Sequence, residues 1–151
     1  MIVRGVRDYG KIRSETRDNL IMKPSILIVD DEILILKSLA RLLSTDYTVY
    51  QASSGREALH ILEENNGIEL VLSDIKMPEM DGVELLEKIR SDKRDIAVIL
   101  MTAFYGDELL LSVKRKGAYD CLFKPLDLNE LQTTLKKALR DRGSKSGNLK
   151  Q

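Results

Sequence analysis

The chain has 151 residues, 43% of them hydrophobic, and its 24 basic and 24 acidic side chains give a formal net charge of zero. Such a chain suits one globular domain that buries roughly 70% of its unfolded surface without a disulfide framework or structural metal. One cysteine (Cys121) and one histidine (His60) exclude a His/Cys zinc cage, and no apolar run approaches the ~20 residues of a membrane span, so a cytoplasmic protein without membrane contact is expected.

The charge is uneven along the chain. Residues 1–23 carry six basic and three acidic side chains, 24–140 carry 15 and 20, and 141–151 carry three and one. An acidic domain between two basic segments is a poor nucleic-acid binder, because neutralising phosphates takes clustered Lys and Arg.

Residues 1–23 form an N-terminal extension with only weak helical spacing at Ile2, Val6 and Tyr9. Met22 opens a stretch sufficient for a complete domain. The extension is therefore either a start set too far upstream or a helix that packs on the domain or pairs two chains. From Pro24 onward, short apolar runs alternate with amphipathic stretches. The runs predict strands over 26–29, 48–51, 70–73, 97–101 and 121–123. The stretches predict helices over 32–43, 55–64, 82–90, 107–116 and 128–140. Leu34, Leu36, Leu39, Leu42 and Leu43 are expected to form the apolar stripe of the first helix, with Lys37 and Arg41 facing water. Ser54 and Asp127 are expected N-caps, each with an acid three residues on, and Asn66-Gly67 and Gly117 are expected helix ends. Residues 141–151 are expected to be a flexible tail.

Five βα units in succession predict a doubly wound α/β domain with a parallel sheet. Ligands in such sheets gather beyond the carboxyl ends of the strands. The residues there are Asp30 and Asp31 after the first strand, Asp74 after the third, Thr102 after the fourth and Lys124 after the fifth. Each alone has an ordinary reading, as an N-cap, a helix entry or a turn before Pro125. Together they bring three carboxylates, a hydroxyl and an ammonium to one rim. The mutual repulsion of such carboxylates is relieved by a hard divalent cation, for which Mg²⁺ is the natural choice.

The strings Ile26-Leu-Ile-Val-Asp-Asp-Glu32, Leu70-Val-Leu-Ser-Asp-Ile-Lys-Met-Pro-Glu-Met-Asp-Gly82, Val98-Ile-Leu-Met-Thr-Ala103 and Gly117-Ala-Tyr-Asp-Cys-Leu-Phe-Lys-Pro125 resemble the response regulator receiver domain. The resemblance spans about residues 24–140. It implies a flavodoxin-like five-stranded sheet of order 2-1-3-4-5. It implies that Asp74 accepts a phosphoryl group from a sensor histidine kinase or phosphotransfer protein, and that the domain is a phosphoacceptor rather than an enzyme acting on other substrates. Asp30, Asp31, Asp74 and the backbone carbonyl of Lys76 would hold Mg²⁺. Lys124 would neutralise charge and Thr102 would act as the switch hydroxyl. Signals would leave through the fourth helix, fifth strand and fifth helix to a downstream protein, with a homodimer through that face left open.

One position departs from the pattern. Many receivers have Tyr or Phe three residues before the strand-end lysine, and here it is Cys121. Either the switch runs without an aromatic ring, or a neighbour such as Tyr119 or Phe123, expected on the same side of the strand, substitutes. A carboxylate-nucleophile phosphatase is the rival reading, weakened by Lys76 where a second acid would stand. A flavin or dinucleotide site lacks its glycine-rich loop, and a docking module that works without phosphorylation stays open.

Overall fold

The computed structural model describes residues 23–149 except Lys93, with side chains described as far as Arg142. Its strands are β1 (Ser25–Val29), β2 (Thr48–Ala52), β3 (Ile68–Asp74), β4 (Ala97–Thr102) and β5 (Asp120–Phe123). Its helices are α1 (Ile33–Leu43), α2 (Gly55–Glu64), α3 (Gly82–Ser91), α4 (Asp107–Arg115) and α5 (Leu128–Leu149). All strand pairs are parallel, in the order β2-β1-β3-β4-β5. The N-terminal extension, apart from Lys23, lies outside the described residues. Among those described, no helix is long and apolar enough to cross a membrane.

Alternation along the strands divides the core in two. Ile26, Ile28, Leu70, Leu72, Ile99 and Leu122 pack against Leu36, Leu39 and Leu43 of α1 and Leu131 and Leu135 of α5, with Leu42 partly buried there, whereas Leu34, expected on the same stripe, faces solvent. On the other face, Leu27, Val29, Val71, Val98 and Leu100 pack against Ala58 and Leu62 of α2, Leu85 and Ile89 of α3, and Val113 of α4. Helices on both faces bury β1, β3 and β4 on two sides, which is why those strands read as continuous apolar runs.

Caps fix where each helix points. Ser54 accepts from the Glu57 amide at 3.1 Å and Asp127 from the Glu130 amide at 3.0 Å, as the sequence predicts. Asp81 does the same for Glu84 at 2.8 Å. Gly117, at φ 108, closes α4 with its amide on the Lys114 carbonyl and the Ala118 amide on that of Val113, a Schellman ending. The end expected at Asn66-Gly67 is made instead by the Asn65 side chain, which donates to the Ile61 carbonyl at 2.8 Å.

Helix α5 continues past Arg140 through Leu149, into the residues expected as a tail. No proline interrupts 128–149, and three side-chain bonds hold its middle to the body. The Tyr119 hydroxyl donates to Asp141 at 2.6 Å, and Arg142 donates to the Asp95 carbonyl at 2.6 Å and to Glu69 at 3.2 Å. The bond to Asp141 and partial burial push the Tyr119 hydroxyl up to about 12. Tyr119 thereby packs on the α1/α5 face, opposite to Cys121, because it precedes β5 and does not share its alternation.

Cys121 is 4% exposed, and burial, followed by the charge of Asp120, pushes its thiol up to about 11. Native protein at pH 8 should therefore alkylate with iodoacetamide at least about a hundredfold more slowly than unfolded chain. Mass spectrometry with and without urea checks this, and equal rates would refute the buried placement.

Candidate functional site

The sheet order reverses between β1 and β3, and the acidic residues stand at the carboxyl ends of those two strands. Asp30 is fully buried beyond β1, Asp31 beside it is exposed, and Asp74, the last residue of β3, is 6% exposed. One carboxylate oxygen from each lies within 4.8 Å of the others. Among the described residues no other such cluster of metal-ligating side chains occurs.

Lys124 follows β5 and turns its ammonium into this cluster. Its Nζ is 3.2 Å from Asp74 Oδ1 and 3.6 Å from Asp30 Oδ2. The backbone reinforces the arrangement: the Lys124 amide donates to the Thr102 carbonyl at 2.7 Å and the Ile75 amide to the Met101 carbonyl at 2.9 Å. The peptide bond from Lys124 to Pro125 is cis. Thr102, the last residue of β4, is 3% exposed, and its Oγ1 accepts from the Phe104 amide at 3.1 Å.

Burial pushes the Asp74 carboxyl above the usual carboxylate range, against the pull of the Lys124 hydrogen bond and charge, and Asp30 and Asp31 add to the rise. Burial opposes the charge on Lys124, yet its bond to Asp74 and the charges of Asp74, Asp30 and Glu32 leave it raised. Three carboxylates and one ammonium leave the site two charges negative when all are ionised. Asp30 Oδ1 accepts from the Glu32 amide at 2.9 Å, whereas Oδ2 is buried with no hydrogen-bond partner. An orphaned buried oxygen among hard oxygen donors fits Mg²⁺. Asp30 and Asp31 are not the cap of α1: its N-cap is Glu32, whose side chain makes no capping bond.

Lys76, two residues beyond Asp74, reaches over the Phe104 ring, its Nζ 5.6 Å from the centroid. The loop beneath is held by Gly82, whose amide donates to the Ile75 carbonyl at 2.8 Å. A Cβ at Gly82 would collide with the Asp74 carbonyl oxygen and come within 2.9 Å of Ile75 Cα, and neither backbone atom can swing aside. Gly82→Ala should cost about 1–3 kcal/mol in urea unfolding. Unchanged stability would show that the loop relaxes freely.

Elsewhere, basic side chains pair with local acids. Lys114 and Lys116 pair with Asp120 at 3.8 Å and Glu87 at 3.5 Å, and exposed His60 pairs with Glu64 on its own helix. The sequence reading missed Tyr105, whose ring stacks on Phe123. Nothing in a linear pattern distinguishes a loop tyrosine that folds back onto a strand from one that faces water.

Fold and site together define a doubly wound α/β domain with a carboxylate and lysine centre at its switch point. The family model for the response regulator receiver domain matches residues 26–136, and the chain belongs to that family. It is 42% identical over 127 residues to the transcriptional regulatory protein ZraR of Escherichia coli K12, covering 82% of this chain and 27% of that protein. The chain thus spans about a quarter of the length of that relative. It is 36% identical over 119 residues to sporulation initiation phosphotransferase F of Bacillus subtilis, covering 78% of this chain and 95% of that one. A receiver domain structure from Clostridium thermocellum superposes with a TM-score of 0.75 at 33% identity, covering 80% of this chain and 97% of that one. CheY from Borrelia burgdorferi, in a complex with CheX, BeF3 and Mg²⁺, gives 0.73 at 28% identity, covering 77% and 89%. Receiver domains are phosphoacceptors of two-component systems and interact with histidine kinases or phosphotransfer proteins.

Proposed function

We propose that this chain accepts a phosphoryl group on Asp74 from the phosphohistidine of a sensor histidine kinase or phosphotransfer protein and then signals to a downstream protein. The observation that carries this reading is the 3.2 Å approach of Lys124 Nζ to Asp74 Oδ1 within the three-carboxylate cluster. A carboxylate oxygen of Asp74 bonds to phosphorus as the P–N bond breaks, and the electron pair of that bond stays on the imidazole nitrogen. An ionised carboxylate needs no general base, which fits a chain whose one histidine is exposed and distant in sequence. Lys124 faces the oxygens where charge gathers, and the Thr102 hydroxyl, one residue beyond the register partner of Asp74, donates to a phosphoryl oxygen. Mg²⁺, held by Asp30, Asp31, Asp74 and the Lys76 carbonyl, would supply the positive charge that phosphoryl oxygens require.

Phosphorylation adds about −1.5 to −2 charge at the rim, and Thr102 and Lys124 are the groups placed to answer it. Their strands lead directly into α4 and α5, so the face made by α4, β5 and α5 is the proposed outlet and the surface through which two copies would pair. The test incubates the protein with Mg²⁺ and acetyl phosphate, weighs it intact and reads its assembly state by light scattering. One labile phosphate supports the reading. No adduct on folded protein would refute it, and sustained donor turnover would favour a phosphatase.

A further inference from the structure

The residue three before Lys124 is Cys121, a buried thiol, so that position of β5 offers no ring that could swing with Thr102. An aromatic contact nevertheless joins the same two strand ends from the solvent side. Thr102 and Phe123 are register partners on the last rung between β4 and β5. Three residues past Thr102, Tyr105 folds back so that its ring lies on Phe123, with centroids 4.5 Å apart and planes 19° from parallel. Tyr105 is 76% exposed, so the contact is a stack at the surface and not part of the core.

The link between this stack and the site is one hydrogen bond. Thr102 Oγ1 accepts the Phe104 amide at 3.1 Å, which sets the direction of the chain into Tyr105. Turning the Thr102 side chain to another χ1 rotamer, so that its hydroxyl donates to a phosphoryl oxygen, carries Oγ1 away from that amide. Phe104 then loses the acceptor that positions it. Little else holds the segment: α4 starts after Gly106, which makes no side-chain cap. Phe104 itself turns toward Lys76, leaving Tyr105 as the ring that meets β5.

We infer that the Tyr105–Phe123 stack is an aromatic latch, closed while the Thr102 hydroxyl accepts the Phe104 amide and released when that hydroxyl turns to a phosphoryl group on Asp74. It takes the coupling role that Cys121 cannot fill. A single offset stack is strong enough to bias the loop and weak enough to open reversibly. Release would uncover the face of the Phe123 ring that Tyr105 covers, changing the apolar surface at the end of β5 on the outlet face. This inference rests on phosphorylation of Asp74.

The chain contains no tryptophan, so Tyr105→Trp places a single, selectively excitable tryptophan at the latch. The variant is treated with Mg²⁺ and acetyl phosphate, the adduct is followed by intact mass, and acrylamide quenching is read on the same sample. With the ring already 76% exposed, the quenching constant should rise by about a third as the adduct forms and the covered ring face opens. In Tyr105→Trp with Phe123→Leu it should be high from the start and stay there. The ring resonances of Tyr105 in the unsubstituted chain give the same reading without a substitution. Adduct formation with unchanged quenching and unchanged Tyr105 resonances overturns the latch and leaves the phosphoacceptor reading intact. Absence of an adduct in the unsubstituted chain overturns both.

Discussion

Asp74→Asn is expected to abolish the phosphate adduct while making the metal-free fold more stable. An amide offers no anionic oxygen to phosphorus, so uptake from acetyl phosphate should fall below about 1% of the unsubstituted chain. The gain in stability follows from burial and from Asp30 and Asp31, which hold the Asp74 carboxyl above its ordinary value of 3.8. A carboxyl whose folded pKa is raised contributes stability that is fully present below its unfolded pKa and lost as pH rises through the folded one. By neutral pH the unsubstituted chain has lost that increment, whereas asparagine has no proton to release. Urea unfolding in EDTA at about pH 4 and pH 7 should therefore show the advantage of the variant widening toward neutrality. Adding Mg²⁺ should narrow it, because the unsubstituted chain offers one more anionic ligand. An adduct that persists in Asp74→Asn would place the acceptor elsewhere.

What the sequence made legible follows from which interactions are local. Polar residues interrupting apolar runs at Asp30, Asp74, Thr102 and Lys124 marked strand ends. The parallel sheet then brought Asp30, Asp74 and Lys124 together, with Thr102 one residue from the register partner of Asp74. The caps at Ser54 and Asp127 were equally readable, since a cap and its helix are adjacent in sequence. Features that depend on distant partners were not. The run of α5 past Arg140 is fastened by Arg142 to Glu69 and Asp95, and a reading of residues 141–151 alone sees a polar stretch with two glycines and two serines and none of those distant partners. Tyr119 was placed on the wrong face because alternation was extended one residue beyond the strand that imposes it. The Tyr105–Phe123 stack joins a loop to a strand across 18 positions, with no periodic signal at either end.

Lys124→Met should lower phosphoryl uptake by about 10²–10³-fold, the usual cost of removing a preorganised charge that stabilises a transition state. Its effect on the fold is as informative as its effect on rate. The Lys124 ammonium is 3.6 Å from Asp30 Oδ2, a buried oxygen without a hydrogen bond, and 3.2 Å from Asp74. Methionine keeps the stem packed and removes the cation, leaving three carboxylates facing one another. Metal-free stability should drop by about 1–3 kcal/mol, less than for a fully buried pair because the lysine retains some solvent contact. Mg²⁺ should recover much of that loss by answering the same charges, without restoring the rate. Lys124→Arg separates the two roles. The guanidinium keeps the charge, so metal-free stability should approach that of the unsubstituted chain, but its planar fork cannot take the place of a compact ammonium 3.2 Å from one oxygen, and uptake should stay low. Uptake at the unsubstituted rate in Lys124→Met would show that the ammonium balances resting charge and takes no part in transfer.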